Sequence, residues 1–173
     1  GVSFTPSSGW TAIDNATAQS GYTDTVGVAT FYRVVQSGDS NSLGLGTLSA
    51  SAYNSAYVRE VAGQGTSPIN GHSYGQTISG SPNPSSVTPD ISGCLALSSA
   101  AVDGEAPTTP SGFSMDASGL YLSAFYYNYA HDSDVGTSAL APAWGVSGYH
   151  AAASLILIAG VGSTESNGSL NDS

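Results

Sequence analysis

The sequence predicts an all-β chain, a single antiparallel sandwich of jelly-roll-like character with seven to nine strands. Three observations carry that expectation. Helix formers are scarce: 173 residues hold 2 Lys plus Arg and 12 Asp plus Glu, while Gly, Ser, Thr, β-branched and aromatic residues interleave at short intervals. Short apolar runs are separated by clusters of Gly, Ser, Pro, Asn and Asp, the punctuation of a β-protein. Finally, 10 Tyr, 4 Phe and 2 Trp supply the buried area that a disordered chain lacks, despite 22 Gly and 8 Pro.

In chain order, the strand candidates are residues 10–14, 26–35, 43–49, 54–62, 91–99, 119–130 and 148–161. Residues 26–35 put Val26, Val28, Thr30, Tyr32 and Val34 on one face and Ala29, Phe31, Arg33 and Val35 on the other. Both faces are largely apolar, so this run is expected mid-sheet with its second face covered. In residues 43–49 glycine alternates with leucine, which predicts a close backbone approach or a bulge. Residues 63–90, with Pro68, Pro82, Pro84 and Pro89, are expected to form one long loop. Residues 106–112 read as an inter-sheet crossover. The sandwich is expected to span residues 1–161, followed by a polar tail over 162–173. A local echo links Thr5-Pro-Ser-Ser-Gly-Trp10 to Thr109-Pro-Ser-Gly-Phe113, each followed by an aromatic-rich strand, as a quasi-symmetric sandwich would require.

The order Pro6-Ser-Ser-Gly-Trp10, Ala29-Thr-Phe-Tyr-Arg-Val34, Tyr57-Val-Arg59, Ser67-Pro-Ile-Asn70, Gly93-Cys-Leu-Ala-Leu97, Thr109-Pro-Ser-Gly-Phe113 and a closing Ala-rich strand resembles a β-sandwich module of bacteriophage virion proteins. Asn70 stands where that module carries Asp, and Val58 separates Tyr57 from Arg59. The resemblance covers residues 6–161. It implies a structural or receptor-facing part of a virion, with no active site to carry over.

Charge excludes several classes. The net charge is -10 and the pI about 4.1. Arg33 and Arg59 are the only cations besides histidine, so no patch can neutralise nucleic-acid phosphates or engage an anionic membrane. The longest strongly apolar run, residues 155–159 within 151–161, is too short to span a bilayer as a helix. A lone Cys94 offers neither a disulfide within the chain nor a cysteine metal site. The first residues carry no basic or apolar signal segment.

Few residues suggest chemistry. His131-Asp132-Ser133-Asp134 offers Asp132 and Asp134 as Ca²⁺ candidates, but calcium takes six to eight oxygens, and an Asx-type turn between strands is the preferred reading. His72, His131 and His150 lack zinc-ligand spacing, and no Gly-x-Ser-x-Gly elbow occurs. The acids are expected mostly in turns, at Asp24, Asp39, Asp90, Asp103 and Asp132; Glu60 lies on a strand, facing away from Arg59. No cofactor, metal or catalytic residue is expected. Arg33 and Arg59 are read as anchors for carboxylates, within the fold or across a subunit contact. On a strand over 119–130, Tyr121, Phe125, Tyr127 and Tyr129 share a face, read as core, subunit interface or sugar-stacking platform. The sequons at Asn15, Asn167 and Asn171 carry no weight in a Ser/Thr-rich chain.

These features lead to a structural virion surface protein, a capsid-decoration or fibre component assembling with copies of itself and other virion proteins. The alternative is a carbohydrate-binding adhesin, using the tyrosine face or residues 63–90 against a host-surface glycan.

Overall fold

The structure is a computed structural model, and it describes residues 4–18, 26–39, 44–49, 55–61, 68–121, 125–146, 150–159 and 165–170. It is all-β and antiparallel, with eleven strands among the described residues: β1 (Phe4–Pro6), β2 (Thr11–Ala18), β3 (Val26–Tyr32), β4 (Gly46–Leu48), β5 (Ala56–Val61), β6 (Ile69–Thr77), β7 (Cys94–Asp103), β8 (Ser114–Tyr121), β9 (Phe125–Val135), β10 (His150–Ile158) and β11 (Glu165–Leu170). The count exceeds the seven to nine expected because β6 and β11 lie in segments read as a loop and a tail, residues 119–130 divide between β8 and β9, and β1 has too few residues to show a period.

The central sheet has the order β6-β10-β7-β9-β8. β10 sits between β6 and β7, and all nine of its residues are buried. Here the sequence reading is corrected: β10, rather than residues 26–35, is the strand covered on both faces. β3 pairs only with β2 among the described residues, and its side chains beyond Val26 are half-buried or exposed. The Ala-Ala-Ala-Ser-Leu-Ile-Leu-Ile run of β10 has no large polar side chain to desolvate, whereas residues 26–35 include Tyr32 and Arg33.

One face of the sheet carries Ile69, Leu95, Leu97, Ile156 and Ile158, on which Ile13 and Val61 pack, and Ala101, Ala152 and Phe125, on which Val26 and Val28 pack. Its cover is a layer of two-stranded ladders, β2–β3 and β5–β11. β1–β4 adds to this side through the Phe4 and Phe31 rings, 5.0 Å apart. The opposite face, with Cys94, Ala96, Ala100, Val102, Ala151, Ala153, Leu155 and Leu157, meets irregular chain bearing Val87, Phe113, Leu140, Trp144 and Val146.

Laying irregular chain over an apolar face strands backbone N–H groups, and proline has none to strand. Pro82, Pro84, Pro89, Pro107, Pro110 and Pro142, all buried, lie in these covering segments. Backbone bonds between Val87 and Leu140, and from Thr108 N to Gly145 O at 2.8 Å, satisfy other groups. The Trp144 indole N–H donates to Ser98 Oγ at 2.9 Å, and Ser98 Oγ donates to Ser154 O at 2.8 Å, so the polar atoms beneath this cover form a chain.

Three further expectations change. Residues 63–90 are not one loop, since β6 runs through them; Gly71, Ser73 and Gly75 hide its strand pattern by having no apolar bulk. Those small residues let the cover approach: a Cβ on Gly71 would lie 2.6 Å from Val87 Cγ1, and one on Gly75 would strike the Asn83 carbonyl. Residues 119–130 are not one strand but the two sides of the β8–β9 hairpin, in which Tyr121 pairs with Phe125. Finally, His131–Asp134 is no turn: it continues β9, paired to β7 through Leu97↔His131 and Ala96↔Asp132.

Two other expectations have visible causes. Gly46 lies against Thr5 and Phe4 of the neighbouring strand, the close approach its alternation with leucine predicts. The echo is a repeated turn: Trp10 N bonds Ser7 O and Phe113 N bonds Pro110 O, with Gly9 (φ 91°) and Gly112 (φ 84°) in the positive-φ position of a type II turn. Each turn feeds a strand, β2 or β8, with a bulge beginning after its second residue. Of the segment read as a tail, residues 165–170 pair with β5.

Gly75→Ala should destabilise the fold by about 1–3 kcal/mol through overpacking against Asn83, read as a lower urea midpoint with unchanged slope. Trp144→Phe, which keeps the ring bulk but removes the donor to Ser98, should cost about 1–2 kcal/mol in the same measurement.

Candidate functional site

The ladder layer is fastened to the central sheet at two places, each built on an aspartate that holds a histidine Nδ1. At one, Asp14 of β2 meets His72 of β6, with Asp14 Oδ1 2.9 Å from His72 Nδ1. At the other, Asp116 of β8 takes His131 Nδ1 of β9 on Oδ1 at 2.6 Å and accepts from Arg59 Nη1 of β5 on Oδ2 at 3.1 Å. Arg59 and Asp116 have side chains only 2% and 5% exposed.

Bulges place both aspartates. Met115 pairs with Ala130 and Ala117 with Tyr129, leaving Asp116 as the extra residue of β8. Likewise Ala12 pairs with Phe31 and Asp14 with Thr30, leaving Ile13 as the extra residue of β2. Without the bulge in β2, strict alternation would set Ile13 rather than Asp14 opposite Thr30; in β8, where Ser114 already pairs with His131, the bulge puts Asp116 and Ala117 together opposite Tyr129. A carboxylate bound to Nδ1 fixes the imidazole's orientation and leaves Nε2 to serve other groups.

Aromatic rings enclose the Arg59 site. Tyr57 stacks on Tyr129 with centroids 5.0 Å apart at 21°, and Tyr129 Oη donates to Ser55 O at 3.2 Å. Tyr127 lies 6.5 Å from Tyr129 and spreads over Gly119, its partner across the hairpin, which accounts for a glycine in mid-strand. Burial pushes the Tyr57 phenol up from its usual value of 10.0; the Asp116 charge adds to this and Arg59 opposes it. Burial likewise raises Tyr129.

The structure therefore divides the residues singled out in the sequence. Tyr127, Tyr129 and Arg59 gather in one cluster. Phe125, on the same strand, packs instead with Val26 and Ala152. Because Tyr57 covers Tyr129, this face is not an open stacking platform. The side chain of Tyr121 lies outside the described residues. Arg33 is remote from the cluster: it pairs with Asp39 across a tight turn in which Asp39 Oδ2 accepts from Gln36 N at 2.7 Å. Both arginines are thus paired within the chain. Glu60 is exposed, on the side away from Arg59.

Asp132 lies on β9 below the Gly112 turn; the side chain of Asp134 is outside the described residues. Among the described residues no group of three His, Cys, Asp or Glu is placed to hold a metal ion. His150 opens β10 opposite Asp103, with Nδ1 3.8 Å from Asp103 Oδ2. Cys94 is buried, its thiol directed to Ile91 O at 3.4 Å. Sequence reasoning passed over Asp14 and Asp116. Their signal was an acid inside a strand of small and apolar residues, where an unpaired carboxylate is too costly to keep.

No family model, curated protein or solved structure matches this chain.

Asp116→Ala leaves the Arg59 guanidinium buried without that carboxylate and should destabilise by about 3–5 kcal/mol in chemical denaturation. In an alkaline titration followed by tyrosine absorbance, Tyr57 and Tyr129 should ionise after the more exposed tyrosines. The stability they contribute is fully present below pH 10 and is lost as pH rises through their raised folded values, so Tyr129→Phe should flatten the alkaline fall in stability.

Proposed function

We propose that this chain is a non-enzymatic structural protein that works through protein–protein assembly, a capsid-decoration or fibre component of the virion-surface type its sequence resembles, with copies of itself as its first partner. The observation that supports this reading is the outer edge of β8. β9 is its only ladder partner among the described residues, so one row of backbone donors and acceptors remains available for a further strand.

Soluble proteins ordinarily blunt such an edge with lysine, proline or inward-facing charge. β8 reads Ser-Met-Asp-Ala-Ser-Gly-Leu-Tyr, and its one charge, Asp116, is occupied by Arg59 and His131. Met115 and Leu120 are 40% and 52% exposed beside this edge. An edge that offers apolar surface, and a backbone with no second ladder partner among the described residues, suits strand addition or face-to-face packing between copies. The net charge of -10 keeps the remaining surface soluble while such contacts form.

Light scattering across a concentration series should show mass rising above the 17.2 kDa monomer. Leu120→Lys combined with Met115→Lys should hold the chain at monomer mass with its thermal midpoint nearly unchanged. A wild-type chain that stays monomeric at every concentration contradicts the proposal.

A further inference from the structure

At the edge of the central sheet opposite β8, the chain forms an open depression of about 400 Å³ lined by Asp14, His72, Ser73, Tyr74 and Ser85. It wraps the outer side of β6, which has no second ladder partner among the described residues. Its chemistry is specific. The Asp14 side chain is 5% exposed and holds His72 Nδ1, while the imidazole it orients is 46% exposed. With Nδ1 engaged, Nε2 is the nitrogen left for an incoming group.

Asp14 Oδ2 and, on the opposite rung, Thr30 Oγ1 are buried without hydrogen-bond partners. Both oxygens are closed to solvent, so the polar group the depression presents to a guest is the half-exposed His72 ring that Asp14 orients. Tyr74 stands 50% exposed on the same face of β6 as His72 and offers an aromatic wall. Ser73 Oγ donates to Ser85 O at 2.6 Å, which fixes the rim on the other side.

We infer that this depression is a binding site for a neutral saccharide, whose hydroxyls hydrogen-bond the Asp14-oriented imidazole and the outer edge of β6 while its C–H face rests on Tyr74. The lining decides the ligand class. It contains no Lys or Arg, and the chain carries -10, so a phosphate, sulfate or carboxylate ligand finds no fixed counter-charge there and an unfavourable overall field. Carboxylate, imidazole and serines make a poor lining for a purely apolar ligand. Among the described lining residues the one carboxylate, Asp14, is buried behind the imidazole, which denies a bulky ammonium or guanidinium direct contact. A polyhydroxyl ring with one apolar face meets each requirement. This site is separate from the β8 edge, so the two proposals stand or fall independently.

The test is an array of neutral mono- and oligosaccharides probed with the full chain, followed by calorimetry and chemical-shift mapping with whichever glycan is retained. The expected result is retention of at least one neutral glycan, shifts at His72 and Tyr74, and a roughly tenfold or greater loss of affinity in Tyr74→Ala, corresponding to about 1.4 kcal/mol. Tyr74 is half exposed, so this variant should keep the wild-type thermal midpoint; His72→Gln provides a second variant that removes the imidazole. Retention of no neutral glycan overturns the proposal. So does binding that survives both substitutions, or a response of the same residues to arginine or putrescine but to no sugar.

Discussion

β10 presents no face to water, and that constraint organises the chain around it. A strand of Ala, Ser, Leu and Ile with every residue buried needs a cover above and a cover below. Burying each large aliphatic side chain contributes roughly 1.5–3 kcal/mol, which no single ladder on one side could secure. The chain meets the requirement asymmetrically. Hydrogen-bonded ladders cover one face. Proline-bearing irregular chain covers the other, where the missing N–H of each buried proline removes a donor that would otherwise need a partner.

The two covers are held by different means. On the irregular side, the Trp144–Ser98–Ser154 chain of hydrogen bonds and the glycines of β6 fix where the cover rests. On the ladder side, packing alone would let β2–β3 and β5–β11 slide over a greasy sheet. The pairs Asp14–His72 and Arg59–Asp116–His131 give each ladder one preferred register. Buried ion pairs contribute little net stability against apolar replacements of equal volume; here their geometry fastens one layer to the other. The bulge in β2 sets Asp14 opposite Thr30 and so belongs to this fastening, while Asp116 is itself the extra residue of the bulge in β8.

The fold class was legible because composition and punctuation suffice for it. The 148–161 run announced a strand, and the Pro-Ser-Gly-aromatic echo marked two real turns. What stayed hidden has physical causes. β6 is hidden in the sequence because Gly71, Ser73 and Gly75 make room for the covering chain and so erase the apolar alternation that marks a strand. The β8–β9 hairpin is hidden because Leu120-Tyr-Leu-Ser-Ala-Phe-Tyr-Tyr127 runs on as one largely apolar stretch and no Asn-Gly or Asp-Gly turn divides it. The pairing partner of Arg59 lies 57 residues away, and that of His72 lies 58 away, distances at which only the folded register brings them together. Arg33, whose partner Asp39 is six residues on, was the accessible case.

The account joins a doubly covered centre to edge strands that have no second ladder partner among the described residues, and hydrogen exchange resolved by residue at several protein concentrations tests both at once. The β10 amides should exchange only through global unfolding, at a rate independent of concentration. Amides on the outer edge of β8 should exchange quickly in dilute solution and gain protection as concentration rises. Exchange of β10 amides ahead of those in β8, or β8 protection indifferent to concentration, would contradict it.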